Sequence, residues 1–324
     1  MTKTTDLSEA RRALLEKYLR GELTETAIAT HNGDERPLDS SEAQPGTDSR
    51  VSLVAVRDGG SRLPFFYIHV HWDTGAFYCF PLAHELGLDQ PFYVLEPYNF
   101  ANLKVPPLLE DMAATYIESM RSVQPEGPYI LCGFCGGGLI ALEMARQLQM
   151  SGQAMEMLVL IEPGVGPALI TWGGSFIRHI GKLIRLSPDK QLNVFLILRH
   201  VYRFLFRPQY RHSQGFSVVP TIQALRQDWM GIFVWMVSGY SRPRQYPGKA
   251  IQIWAINDPV RRKAWPKVAV AKEEETYFIP GKHFDLITDQ LHILSTQLKT
   301  CLEKLYDAGD EKAIGDIGSH GEIL

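Results

Sequence analysis

A cysteine framed by glycines, a late histidine one residue after Gly-Lys, and two carboxylates at strand ends have the types and spacing for covalent chemistry. Gly133-Phe134-Cys135-Gly136-Gly137 follows an apolar run, Tyr129 to Cys132, and opens a helical pattern near Gly137. Glycines on both sides of Cys135 suit a tight strand-to-helix turn in which backbones pass closely and the central side chain points out above a sheet. A sulfur at a helix N-terminus also meets the dipole and unpaired N–H groups that stabilise a thiolate. The bland alternative for such a string is a buried, inert cysteine. Cys132 has no glycine frame and reads as core.

A nucleophile in this setting needs a base from a loop late in the chain. His283, in Gly281-Lys282-His283 after an apolar run ending at Ile279, has that address, and the other histidines do not. A third group must orient the imidazole and balance its charge. Glu162, after the run Met155 to Ile161, and Asp258, after Ala250 to Ala255, compete for this role. Glu162 is preferred, and Asp258 precedes Pro259 as in a common turn pair. An oxyanion site would draw one backbone N–H from Gly136 and a second from the loop His69 to Gly75, with Trp72 or His71 as donor. His69, His71 and Asp73 on that loop are only weak support for a metal site, so none is expected.

The elements that hold these groups follow from periodicity. Strands are predicted at Val51 to Val56, Pro64 to His69, Phe92 to Glu96, Tyr129 to Phe134, Met155 to Ile161, Ala250 to Ala255 and Thr276 to Ile279. Helices are predicted at Phe80 to Gly87, Leu109 to Val123, Gly137 to Met150 and Phe284 to Leu305. This alternation predicts an α/β architecture, a mostly parallel central sheet flanked by helices. About eighty residues, Gly164 to Arg244, separate two of the strands, where a simple crossover needs about a dozen. Its apolar runs suggest a helical lid over a hydrophobic channel, with Trp172, Trp229 and Trp235 excluding water, or else helices packed on the sheet. It gathers Arg178, Lys182, Arg185, Lys190, Arg199, Arg203, Arg207 and Arg211, a docking face for an acidic partner or a solvated surface. Residues 1–50 read as an amphipathic helix, Leu7 to Leu23, and a linker. Residues 51–306 form the α/β body and residues 307–324 a flexible tail.

Composition narrows the classes. The chain has 324 residues, 45% of them hydrophobic, and a formal net charge of −3. It lacks the clustered positive charge of a nucleic-acid binder, so no nucleic-acid partner is expected. Four cysteines are too few and too scattered for a disulfide framework, and a cytoplasmic location is expected. The run Val194 to Phe206 is interrupted by Arg199, His200 and Arg203, and no transmembrane segment is predicted.

Several stretches resemble one family, the thioesterase domains that end nonribosomal peptide synthetases and polyketide synthases, with their free-standing relatives. They are PFFYIHV, QPFYVLEP, MAATYIESMRSVQPEGPYILCGFCGGGLIALEMARQL, LVLIEP, YPGKAIQIWA and GKHFDLI, over roughly Leu63 to Leu305. The segment SEARRALLEKYLRG is similar to connecting segments between modules of such assembly lines. The resemblance implies an α/β-hydrolase fold and an acyl or peptidyl thioester substrate on the phosphopantetheine arm of a carrier protein, with no cofactor of the enzyme's own. It implies a triad of Cys135, His283 and Glu162, with Cys135 where the family normally has Ser and Glu162 where Asp is common. The loop HVHWDTG also departs from the family's His-Pro start and paired glycines. A cysteine nucleophile would keep the acyl group as a thioester, retaining the activation that suits cyclisation or transfer as well as hydrolysis. The alternatives are a simple hydrolytic (editing) thioesterase or esterase, and a non-catalytic carrier-binding scaffold.

Overall fold

The computed structural model describes residues 50–319 apart from 73–76, 165–167, 208–209, 212–216 and 241–243. The expected N-terminal helix, almost all of the linker and Asp73 lie outside the described residues. Seven strands form one sheet: β1 (Leu53–Arg57), β2 (Phe65–Ile68), β3 (Phe92–Leu95), β4 (Tyr129–Phe134), β5 (Met155–Ile161), β6 (Arg244–Ala255) and β7 (Ala269–Ile279). Their spatial order is β1-β3-β2-β4-β5-β6-β7, with β1 antiparallel and the rest parallel.

Both faces are covered, so the central strands are apolar at every position rather than alternating. In β2 all four residues are buried. Phe66 and Ile68 join the cluster beneath α2 (Leu109–Arg121) and α3 (Gly136–Met150). Phe65 and Tyr67 join the opposite cluster, beneath α1 (Cys79–Glu85) and the terminal helix α9 (Leu291–Ser319). Cys132 falls in this second cluster at 0% exposure, as its lack of a glycine frame predicts.

The long segment after β5 holds α4 (Ala168–Leu183), α5 (Pro188–Phe206), α6 (Ile222–Arg226) and α7 (Trp229–Gly239). Of the two readings weighed for it, packing on the body describes α7. This helix is buried from Gly231 to Ser238 and sends Phe233, Met236 and Val237 into the α2/α3 cluster. The short α8 (Pro259–Ala264) follows β6.

Three expectations need correction. β6 and β7 begin earlier than predicted, at Arg244 and Ala269, because their extensions pair with each other while carrying exposed charged residues, Lys272, Glu273 and Glu274 in succession, that hide the apolar pattern. The last helix begins at Leu291, after a 3-10 turn at Asp285–Ile287, and continues to Ser319 through most of the stretch assigned to a tail. The tryptophans do not form a water-excluding wall: Trp172 is 77% exposed, while Trp235 packs among Leu192, Phe195 and Leu196 inside the insert.

Candidate active site

Cys135 stands between β4 and α3 with φ 57° and ψ −122°, a conformation rarely adopted by a residue with a side chain. Close backbone approach explains the surrounding glycines. A Cβ on Gly133 would lie 2.3 Å from the Gly137 carbonyl oxygen, and one on Gly137 would lie 2.3 Å from that of Ile68. The turn is locked to the next strand and its exit loop, since the Cys135 N–H donates to Ile161 O at 2.9 Å and its carbonyl accepts from Gly164 N at 3.2 Å. The strained turn aims the sulfur into a cavity of about 530 Å³ lined partly by Val70, Gly136, Phe233 and Phe284.

Glu162 follows β5 directly, also at positive φ (47°), and is fully buried. Its Oε1 accepts from the Ala255 N–H at 2.5 Å, and its Oε2 lies 3.0 Å from His283 Nδ1. His283 reaches the site from the turn after β7, where Gly281 takes φ 108° and Asp285 accepts the Lys282 N–H at 2.8 Å. Its ring stacks on Phe134 at 4.8 Å and is buried. With Nδ1 facing Glu162, the buried Nε2 makes no hydrogen bond to a described residue, and the ring lines the same cavity as the Cys135 sulfur.

The charges reinforce one another. Burial alone would push the Cys135 thiol up. His283, the Arg261 guanidinium and the Gly136 N–H outweigh it and hold the thiol below its ordinary value. Burial would likewise lower His283, but the Cys135 sulfur and Glu162 raise it above the usual histidine range. Both shifts favour a thiolate–imidazolium pair. The remaining described cysteines, Cys79, Cys132 and Cys301, are buried free thiols pushed up by burial.

Asp258 is not brought to His283. It pairs with Arg261, whose Nε lies 3.4 Å from Asp258 Oδ2 and whose Nη1 lies 3.8 Å from Cys135 Sγ. Arg261 was missed in the sequence. The available signal was its position three residues beyond Asp258, just after a parallel strand, on the sheet edge where sites of α/β folds form. In the loop after β2, the His71 N–H donates to His69 Nδ1 at 3.3 Å, while the Trp72 indole donates to Tyr98 O at 3.0 Å and packs on Phe100 and Phe233. Burial lowers His69 to about 3 and His71 to about 4, which keeps both neutral. Among the described residues no group of three His, Cys, Asp or Glu could hold a metal ion.

The basic residues of the insert divide. Arg178 lies over the Trp235 ring and donates to its carbonyl, and Arg199 and Arg203 both pair with Asp228. These three are engaged within the insert rather than forming a free docking face.

Residues 69–165 match the sequence model of the thioesterase domain family, a stretch that includes Cys135 and Glu162 but not His283, Asp258 or Arg261. A dimodular nonribosomal peptide synthase of Bacillus subtilis (strain 168) is 37% identical over 112 residues, 34% of this chain and 5% of the synthase. The polyketide synthase PksR of the same organism is 36% identical over 111 residues, 34% of this chain and 4% of that protein. The chain therefore matches only a small part of these relatives' length. The solved NocB thioesterase domain from the nocardicin cluster aligns with a TM-score of 0.51 at 18% identity, covering 80% of this chain and 100% of that one. Its covalent complex with a fluorophosphonate nocardicin G analogue aligns at 0.50 and 19% identity, covering 78% of this chain and 99% of that one. The fold is thus the α/β-hydrolase architecture of thioesterase domains, as the resemblance implies.

Proposed function

We propose that the chain is a carrier-protein-dependent thioesterase that works through a Cys135 acyl-enzyme and releases acyl or peptidyl products in natural-product biosynthesis. The observation that carries this reading is His283, bonded through Nδ1 to Glu162 Oε2 at 3.0 Å, lining one cavity with Cys135, with Cys135 and Glu162 on the thioesterase-matched stretch. In the first step the Cys135 thiolate bonds to the thioester carbonyl carbon. The carbon–sulfur bond to pantetheine breaks, and the leaving thiolate takes the proton held by His283. In the second step the now neutral His283 takes a proton from water, a hydroxyl or an amine. That acceptor bonds to the acyl carbon, and Cys135 leaves as the thiolate with His283 again protonated.

Glu162 orients His283 and balances the imidazolium charge. The Gly136 N–H and a donor of the loop after β2 hold the tetrahedral oxyanion. With the His71 N–H turned to His69, the Trp72 N–H is the loop donor in this scheme. The substrate arrives on the phosphopantetheine of an acyl or peptidyl carrier protein, and the chemistry needs no metal or cofactor. Because Cys135 stores the acyl group as a thioester, ring closure or transfer competes with hydrolysis.

Intact-protein mass spectrometry after mixing with an acyl-pantetheine tests the scheme. A mass gain on the native chain that vanishes in Cys135→Ala is expected. No adduct and no turnover across a broad acyl panel would favour a non-catalytic scaffold instead.

A further inference from the structure

Arg261 is the charged group that the scheme above leaves without a full role. Its Nε is tied to Asp258 and its Nη1 faces the Cys135 sulfur, while Nη2 has no hydrogen-bond partner among the described residues. It reaches the sulfur over Gly164, where a Cβ would stand 2.8 Å from Nη1, so glycine at that position leaves room for the guanidinium. The cavity it enters is also lined by Arg199, Arg203 and Arg207, and no Asp or Glu lines it. Only Asp228 answers the first two of these arginines, so the cavity carries a surplus of positive charge among the described residues.

Acylation changes the balance at this point. In the free protein the guanidinium faces a sulfur whose thiol is held below its ordinary value. Once the sulfur becomes a thioester it is neutral, and His283 has given its proton to the departing pantetheine thiol. Arg261 then keeps its charge beside the acyl group, with only the loose Asp258 pairing as counter-charge. A fork of N–H donors left in this position is complementary to a carboxylate, which it can bind through two parallel hydrogen bonds.

We propose that the acyl chain accepted at Cys135 carries a carboxylate close to its thioester carbonyl, and that Arg261 is the specificity-determining residue that reads it. The proposal rests on the acyl-enzyme reading of Cys135. The spacing follows from the position of Nη1 beside the sulfur, which favours short dicarboxylic acyl groups over chains with a remote anion. The phosphate of the pantetheine arm is separated from the sulfur by the whole arm and does not meet this description.

The test uses the full chain and pantetheine monothioesters of dicarboxylic acids of three to six carbons, each beside its neutral monomethyl ester. Loading of Cys135 is followed by intact mass, with Cys135→Ala correcting for non-enzymatic acylation. At least one free acid is expected to load about 10- to 100-fold faster than its ester, the range of a charge-assisted hydrogen bond. Arg261→Gln is expected to slow both members, because it also removes a cation from the thiolate, but to bring their ratio close to one. Arg261→Lys should recover part of that ratio. If the esters load Cys135 as fast as the acids, or the ratio survives in Arg261→Gln, the proposal is overturned while the acyl-enzyme stands. If neither member loads and neutral acyl chains fail as well, the acyl-enzyme reading falls with it.

Discussion

Replacing Glu162 with Gln separates the two carboxylates that compete for the third place in the site. The side chain keeps its volume and one oxygen, so it can still accept the Ala255 N–H now held at 2.5 Å. Its amide nitrogen then faces His283 Nδ1 across the 3.0 Å at present spanned by a hydrogen bond to a carboxylate. Two donors cannot share that gap. The imidazole either loses its partner or keeps Nδ1 unprotonated to accept from the amide, and the imidazolium that pairs with the thiolate is no longer supported. Losing a hydrogen bond to a charged group costs about 1.5–3 kcal/mol, and the unbalanced imidazolium adds a comparable amount. Together these give about 3–5 kcal/mol, or a 10²- to 10⁴-fold slower loading of Cys135. Asp258→Asn breaks only a partly exposed pair at 3.4 Å, worth at most about 1 kcal/mol, so its effect on a neutral acyl group should stay within about fivefold. Quenched-flow mass spectrometry of acyl loading measures both variants, with thermal melting to verify that each is folded. A Glu162→Gln variant within tenfold of the native rate, or an Asp258→Asn variant equally slow, would refute the assignment.

Two further outcomes follow from the electrostatics. Alkylation of Cys135 by iodoacetamide should hold its rate to lower pH than that of an ordinary thiol near 8.5, and fall as acid protonates the depressed thiolate. In His283→Ala burial dominates, so labelling at pH 7 should slow by about 10- to 100-fold, toward the sluggish rate of Cys301. Away from the site, buried Glu143 on α3 bonds Arg146 at 2.6 Å, Gln147 at 2.9 Å and the Tyr240 hydroxyl at 2.7 Å. Burial would raise this carboxyl, but its three partners outweigh that and hold it below 4.5. The stability it contributes is therefore complete above pH 4.5 and is lost as pH falls through the depressed value. Glu143→Gln should lower unfolding free energy by about 2–3 kcal/mol at pH 7 and flatten the acid limb of a urea denaturation series.

The parts of the site that depend on local backbone were readable in the sequence. Glycines at 133, 136 and 137 mark a turn whose crowding allows no Cβ at 133 or 137, and Gly281 marks the turn that delivers His283. The choice between Glu162 and Asp258 could not be made from strand ends alone, since both follow parallel strands. In the folded chain Glu162 lies against His283 Nδ1, whereas Asp258 is engaged by Arg261 three residues on. Arg261 itself was hidden because a cation on a short surface helix has no pattern of its own. Only folding brings Gly164, from the other side of the insert, beneath it. The starts of β6 and β7 were hidden for a related reason, since charged residues such as Lys249 and Glu275 pair across the two strands at 2.7 Å in place of an apolar stripe. The insert's hydrophobic runs correctly announced helices, but not which would be buried. That depends on α7 packing beneath its neighbours, a tertiary choice to which helical periodicity is blind.

The register of the sheet sets how this protein can diversify. Phe134 of β4 is level with Ile161 of β5, which is level with Ile253 of β6, so Cys135 and Glu162 each take the first step beyond a common line of paired residues. Both positions are thereby fixed by backbone hydrogen bonds, and a one-residue slip in either strand would turn a side chain to the opposite face. The insert, by contrast, hangs between β5 and β6 outside that ruler. Its α4, α5 and α6 can change in length or residues without moving the line, whereas α7 is held in the core beneath α2 and α3. Insertions or deletions in the segment 165–243 would therefore change the pocket wall, whereas one at the end of β4 or β5 would displace Cys135 or Glu162 itself.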